Sequence, residues 1–283
     1  MNNFDRQYRL TVGKYKAKGF ELGDTSNSSG IAPHISFSLE KSDTSTANTG
    51  KISVYNLDPE KLNILSQTDC HIALRAGYDA NMPLIASGTI TYISTSLESA
   101  DHATEIEFTE DLTALRDTYV AVGLSGSVNA KRVIEHFAAE MGVAAAYSKS
   151  AAFVQFRNGF SFVGSAQTGL SKVCKLCGLS WTLQNGVLQI RSGNEAMSYK
   201  AYLLSAETGL VEIPKRITFT QSGSSDKQNG WEITYLLNGA IGINDCVRIQ
   251  SKVISGVFRV MKLTISGDSY SGDWLCTAQV VEA

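Results

Sequence analysis

The sequence predicts a mainly β chain with an α/β unit inserted between two β regions. Three observations predict it. Stretches near both ends alternate apolar and polar residues with period two, the mark of half-buried strands in an antiparallel sheet or barrel. Residues from about 119 to 198 switch to helical spacing. Turn pairs then punctuate the last third at short intervals, as in a small barrel or sandwich.

In the first region, residues 1 to about 118, "ISFSLE" sets Ile35, Phe37 and Leu39 against Ser36, Ser38 and Glu40. "HIALRA" repeats the pattern with Ile72, Leu74 and Ala76, and "TEIEF" with Ile106 and Phe108. One short helix interrupts the strands. In "NLDPEKLNILS", Asp58 is the expected N-cap, Pro59 takes the first helical position, and Leu62 and Leu65 point inward. Polar loops are expected from Gly23 to Gly30 and from Lys41 to Gly50, the second as a long hairpin tip.

In the middle unit, 119–198, "NAKRVIEHFAAEMG" places Val133, Ile134, Phe137 and Met141 on one helical stripe, with Asn129 as cap and Gly142 as stop. A second helix is expected from Gln167 to Cys177. The run "LSWTLQNGVLQI" then reads as a hairpin. Trp181 and Leu183 precede an Asn185-Gly186 turn, and Leu188 and Ile190 follow, because a type I′ turn needs positive φ at both central residues.

The third region, 199–283, returns to strands in "KRITFT", "WEITYLL", "DCVRIQS", "GVFRVMKLTISG" and "DWLCTAQVV". Turn signals stand at Asn229-Gly230, Asn238-Gly239, Ser255-Gly256, Gly267-Asp268 and Gly272-Asp273. No internal repeat is visible in the letters, although the β–αβ–β layout leaves room for a structural one.

Composition narrows the function. The chain has 283 residues, a net charge of −2 and no run of basic residues, which argues against a protein built to grip nucleic acid. Charged residues make up 18% of the chain, below the roughly 25% usual for soluble domains. Such a surface suits an assembly subunit and equally an ordinary β-rich domain. No apolar run approaches the ~18 residues that span a bilayer. The opening "MNNFDRQYRLTVG" has no apolar signal core, so no signal peptide is expected. Five cysteines at irregular spacing do not form a disulfide framework, and a reducing cytoplasm is the expected place of synthesis.

The motif "CKLC" invites a metal or redox reading. On the second helix, however, Leu170, Val173, Cys174 and Cys177 share the apolar stripe, so both thiols are expected to face the core as small hydrophobes. The pair also falls in the last turn, where the helix dipole opposes a thiolate. Cys70, Cys246 and Cys276 stand alone and supply no second ligand pair. Catalytic, cofactor-binding and metal-binding residues are therefore expected to be none, and no cofactor is implied. No nucleophile elbow, Walker A, zincin, EF-hand or dinucleotide motif occurs. "GLSGS", Gly123 to Ser127, reads as the loop entering the first helix. His136 beside Glu135 reads as a boundary residue, and Cys70 and His71 point to opposite faces of a strand. His34 and His102 carry no motif. Trp181, Trp231 and Trp274 are spaced as core anchors of separate hairpins, with Trp231 open to exposure. Two acids converging as a glycosidase pair are left open by the residues alone.

The final third resembles the end of the baseplate hub, or tail hub, proteins of Mu-like and related phage tails, similar to the T4-type central hub. The matching elements are Gly209-Leu210, Pro214, Leu236-Leu237-Asn238, Val247 to Ser251, Gly256 with Phe258-Arg259-Val260, Gly267-Asp268 and Trp274. The middle stretch from Phe156 to Ile190 looks like the family's α/β segment. The stretch from Ile35 through "VYNLDPE" to Ser94 looks like its first barrel. Gly239, Asn244-Asp245 and Ser266 depart from the relatives' pattern, and Asn244-Asp245 can adopt left-handed geometry.

The resemblance implies two small tube-like β domains, 1–118 and 199–283, flanking an α+β domain at 119–198. It implies a homotrimer whose six similar β domains form a pseudo-sixfold ring joining the tail tube to the central spike and letting DNA pass. Expected partners are the tail tube or tube-initiator protein, the spike protein and other baseplate proteins, with no stable membrane insertion. The expected location is the virion tail baseplate, assembled in the host bacterial cytoplasm. No enzymatic role is implied. Two other readings stay open: a tail-associated cell-wall hydrolase, and a receptor- or glycan-binding β module.

Overall fold

The computed structural model describes residues 5–14, 16–23, 32–79, 81–98, 100–111, 113–198, 200–220 and 227–283. Beyond Gly23, the first polar tract lies outside these residues.

The chain opens with strands β1 (Arg6–Gly13), β2 (Phe20–Gly23), β3 (Ile35–Ser42) and β4 (Thr49–Tyr55). Helix α1 (Pro59–Leu65) follows, capped by the Asp58 side chain, which accepts from Lys61 N–H at 2.9 Å. Strands β5 (His71–Tyr78), β6 (Leu84–Glu98) and β7 (Asp101–Thr109) complete the first region. A single π-helical turn at Thr113–Asp117 leads into β8 (Tyr119–Leu124) and β9 (Val128–Asn129). Next come α2 (Ala130–Glu140), β10 (Ala144–Tyr147), β11 (Gln155–Phe156), β12 (Phe160–Ser165) and α3 (Ala166–Leu176). The hairpin β13 (Leu179–Gln184) and β14 (Val187–Ser192) closes the middle unit. The last region holds β15 (Ala201–Ser205), β16 (Lys215–Thr220), β17 (Lys227–Leu236), β18 (Cys246–Gln250), β19 (Ser255–Asp268) and β20 (Trp274–Glu282).

Most local expectations are met for the reasons given. Asn129 caps α2, whose stripe of Val133, Ile134, Phe137 and Met141 is buried. The Asn185-Gly186 turn has φ of 50° and 76°, as a type I′ hairpin demands. Three turn signals fall inside strands instead, one of them Gly267-Asp268 as the last two residues of β19. Asn229-Gly230 lies within β17 and Ser255-Gly256 opens β19. Gly230 is buried there against the Phe219 ring and the Val280 carbonyl, so its missing side chain serves close packing.

The two β regions share one sheet. Strands β3 and β19 pair antiparallel from Ser42↔Lys262 to Ser36↔Asp268, which joins both regions in a thirteen-stranded sheet. Its apolar face covers one core drawn from both, including Leu39, Ile52, Phe108, Tyr235, Ile265 and Trp274. The middle unit packs its own core of α2, α3 and the β13–β14 hairpin.

The sheet contains the structural repeat that the letters hide. The pairings β3·β4, β4·β7, β7·β6 and β6·β5 recur in order as β16·β17, β17·β20, β20·β19 and β19·β18. Both copies carry a register shift at the same place, between Ile90 and Tyr92 and between Val260 and Lys262. Individual hydrogen bonds correspond as well. Asn56 N–H donates to His102 O at 2.8 Å, and Leu237 N–H to Trp274 O at 3.0 Å. Ile90 N–H donates to Cys70 O at 2.9 Å, and Val260 N–H to Asp245 O at 3.0 Å. Asp69 and Asn244, each two residues before the next strand, both have positive φ, 58° and 66°. Where the first repeat has α1, the second has the turn around Asn238-Gly239. The outer strands differ, since β1 meets β5 antiparallel and β15 meets β18 parallel.

Gly267 sits at the joint between the repeats. A Cβ there would lie 2.2 Å from Phe37 Cζ and 2.8 Å from Trp274 Cε3. Gly267→Ala is expected to cost about 1–3 kcal/mol through overpacking, read as a lower urea midpoint with an unchanged slope.

Candidate functional site

The residues singled out by chemistry are dispersed. Cys174 is buried on α3, and burial pushes its thiol up to about 12. Cys177, expected in the core beside it, is the C-cap residue and only half-buried; the last turn rotates it to the edge of the stripe. Cys276 is buried and likewise pushed up to about 12 by burial, while Cys70 and Cys246 are buried and raised for the same reason. All five cysteines are free. Among the described residues no cluster of three or more His, Cys, Asp or Glu could hold a metal ion. His136 lies on the exposed side of α2, 4.0 Å from Glu140. His71 is exposed and Cys70 buried, on opposite faces as expected. Trp181 and Trp274 are buried anchors, and Trp231 is half-buried against the main core. Gly123 to Ser127 forms the end of β8 and the loop before β9 and α2. No described helix is long and apolar enough to cross a membrane.

Polar side chains do converge in one place, the seam between the sheet and the middle unit. Asp43, at the tip of the β3–β4 hairpin, accepts from Arg191 at 2.7 Å and from Arg259 at 2.8 Å. Arg259 is fully buried and also donates to Asn244 Oδ1 at 2.7 Å and Asn194 O at 3.1 Å. Burial, with the Arg259 charge alongside, lowers the Arg191 guanidinium to about 10. A second buried pair joins Lys41 of the same hairpin to Glu110, just past β7, at 2.8 Å. There Asn48 donates to Glu110 and to Gln184, each at 2.9 Å, and Gln184 donates to Ser42 O at 2.8 Å. Asp111 accepts from Gly186 N–H at 3.3 Å, and burial raises its carboxyl. The β3–β4 tip is thereby locked to the β13–β14 hairpin, and the seam acts as a joint. Sequence reasoning missed it, although Arg259 inside the apolar run "GVFRVM" was a visible signal, since a charge on an inward face of a strand needs a buried partner.

The joint between repeats is tied at its far end by a smaller cluster. His34 stacks between the Tyr55 and Tyr270 rings, at 4.3 and 4.5 Å, and bonds Asp268 at 3.0 Å. Burial pushes the Asp268 carboxyl up, but hydrogen bonds from Ser271 N–H, His34 and Tyr270 N–H together hold it below the usual range.

The remaining feature is the sheet face turned away from the core. Side chains alternate, so this face presents Ser38, Glu40, Lys51, Glu107, Thr264 and their row neighbours. Its charges nearly balance, with Lys51 paired to Glu105 at 2.6 Å and Lys262 to Glu40 at 3.6 Å. The face is broad, hydroxyl-rich and close to neutral.

No protein-family model matches the chain, and no curated protein matches it by sequence. Solved structures do match it along almost its whole length. The 43 kDa tail protein of prophage MuSo2 from Shewanella oneidensis has a TM-score of 0.64 at 9% identity, covering 98% of each chain. A tail protein from Neisseria meningitidis has a TM-score of 0.62 at 10% identity, covering 96% of each. An E. coli type VI secretion component described as similar to T4 tail proteins has a TM-score of 0.59 at 11% identity, covering 90% of this chain and 75% of that one. The chain therefore shares the fold of these tail and type VI secretion proteins.

Two outcomes follow from the site. Asp43→Ala strands two buried guanidiniums and is expected to cost about 3–5 kcal/mol in urea unfolding, whereas replacing Asp43, Arg191 and Arg259 together by apolar residues costs less than that single change. Native protein should expose one fast-reacting thiol, Cys177, to a disulfide reagent, and all five once denatured.

Proposed function

We propose that this chain is a structural subunit of a phage-type tail baseplate, a hub that works by shape and catalyses no reaction. The observation that carries the reading is fold similarity to tail proteins over 98% of both chains. In this reading the chain divides into β domains at 1–118 and 199–283 around an α+β domain at 119–198. Three copies form a ring of six similar β domains, which joins a sixfold tail tube or its initiator to a threefold spike and meets other baseplate proteins. Its place is the virion tail, after assembly in the host cytoplasm.

The internal repeat supports this arrangement, because a chain that carries the same β unit twice converts a count of three into a count of six. The near-neutral sheet face is the natural lining of the ring. Gripping DNA needs clustered cations that displace counterions from phosphates. Here each lysine on the face is matched by a carboxylate, so a passing duplex meets hydroxyls and paired charges.

Mass measurement of the purified protein should give three chains, and electron microscopy should show rings; a strict monomer that binds neither tube nor spike protein overturns the reading. Release of muropeptides from peptidoglycan by this chain alone would favour a hydrolase instead, and a single strong signal on a glycan array would favour a binding module. Adding cations to the face with Ser38→Arg and Thr264→Arg should turn a protein that does not retain duplex DNA into one that does, with affinity falling steeply as salt rises.

A further inference from the structure

The two long strands of the repeat, β6 and β19, are used unequally. Along one edge, the first half of β19 pairs with β18, from Ser255 to Arg259, and the second half with β3, from Lys262 to Asp268. The first half of β6 pairs with β5, from Leu84 to Thr89. Its second half, Tyr92–Glu98, has β7 on one side and, among the described residues, no strand on the other. At the far end of the sheet β16, the counterpart of β3, pairs among the described residues with β17 alone. Besides the outer strands β2 and β15, the sheet thus has two bare edges among the described residues, and each is the repeat-equivalent of one side of the joint already made inside the chain.

We propose that these edges join head to tail between two copies of this chain, with Tyr92–Ser96 of one pairing antiparallel to Lys215–Phe219 of the next and the ladder ending at Pro214, which has no N–H to donate. The proposal rests on the hub reading for the identity of the partner. The register comes from the repeat. Ile90 corresponds to Val260 through the hydrogen bonds they donate and the bulge that follows them. Leu39 corresponds to Arg216, because Leu39 pairs with Gly50, which occupies the place of Trp231, the partner of Arg216. Carrying the internal pairing of Ser42 with Lys262 across gives Tyr92↔Phe219, and with it Ser94↔Ile217 and Ser96↔Lys215.

The side chains fit such a joint. Tyr92, inside the paired span, is 52% exposed, and Leu97 and Ile213, which flank its end, are 67% and 73% exposed. A bare edge rimmed by large apolar groups is a liability unless it is covered. The contact is heterologous, so it closes into a ring or runs on as a filament.

Paired cysteines test the register in the full chain with Cys177→Ser. Directly opposed strand positions lie within disulfide reach, whereas positions shifted by two residues do not. Ser94→Cys with Ile217→Cys is expected to cross-link under mild oxidation at least about tenfold more than Ser94→Cys with Lys215→Cys or Phe219→Cys. Circular dichroism checks that each variant is folded. Products that stop at three chains support both the joint and the ring; a ladder beyond three supports the joint and overturns the ring. A three-chain native mass without preference for the predicted pair overturns the joint and leaves the ring standing. A monomer at all concentrations overturns both.

Discussion

Antiparallel pairing of Ser36–Ser42 with Lys262–Asp268 is the contact on which the rest of the molecule depends. It brings together residues more than 200 positions apart and makes two β regions into one sheet. The backbone ladder fixes the register, and the register decides which side chains meet. Leu39 falls beside Ile265 on the core face, while Ser38 falls beside Ser266 on the polar one. A slip of a single residue would exchange those faces along the whole joint. Gly267 shows how tightly the place is packed, since Phe37 and Trp274 occupy the room of its missing side chain. One core results, drawn from both β regions.

The buried polar seam solves a different problem. The middle unit has a core of its own and is tied to the sheet by directional polar bonds. Two arginines on a single carboxylate, flanked by Asn244 and Asn194, allow few geometries. Buried ion pairs contribute little net stability once desolvation is counted, but directional bonds select one arrangement over its neighbours. The β3–β4 hairpin carries both functions. Its strands build the inter-repeat joint and its tip holds the middle unit, so a shift at the tip is transmitted to the sheet.

Much of this was legible in the letters. Period-two alternation located β3, β5 and β7, cap residues located α1 and α2, and Asn185-Gly186 located the hairpin, because each signal is local. The cysteine reading was right for Cys174 and too simple for Cys177, where the helix ends and its stripe no longer governs the direction of a side chain. Asn229-Gly230 and Ser255-Gly256 misled because a glycine marks close approach of backbone as readily as a turn, and only the partner strand tells which. The Asp43–Arg191–Arg259 cluster stayed hidden since its members come from three separate parts of the chain. Arg259 alone hinted at a buried partner without naming it.

The repeat was illegible for an instructive reason. What the two copies share is backbone: the order of pairing, one bulge, and one left-handed residue before a strand. None of these demands a particular amino acid. Ile52 corresponds to Ile233, but Val54 to Tyr235, and the exposed His71 to the buried Cys246, since a core position asks only for apolar bulk. Asp69 and Asn244 are the exception, where left-handed geometry restricts the choice and both copies meet it with a small polar side chain. Selection on a joint made by main-chain hydrogen bonds acts on register and leaves the side chains free to drift. Two copies can therefore lose every visible likeness while each still presents the same pair of edges. One such pair has already been joined inside the chain, and that joint is the physical template for reading the other.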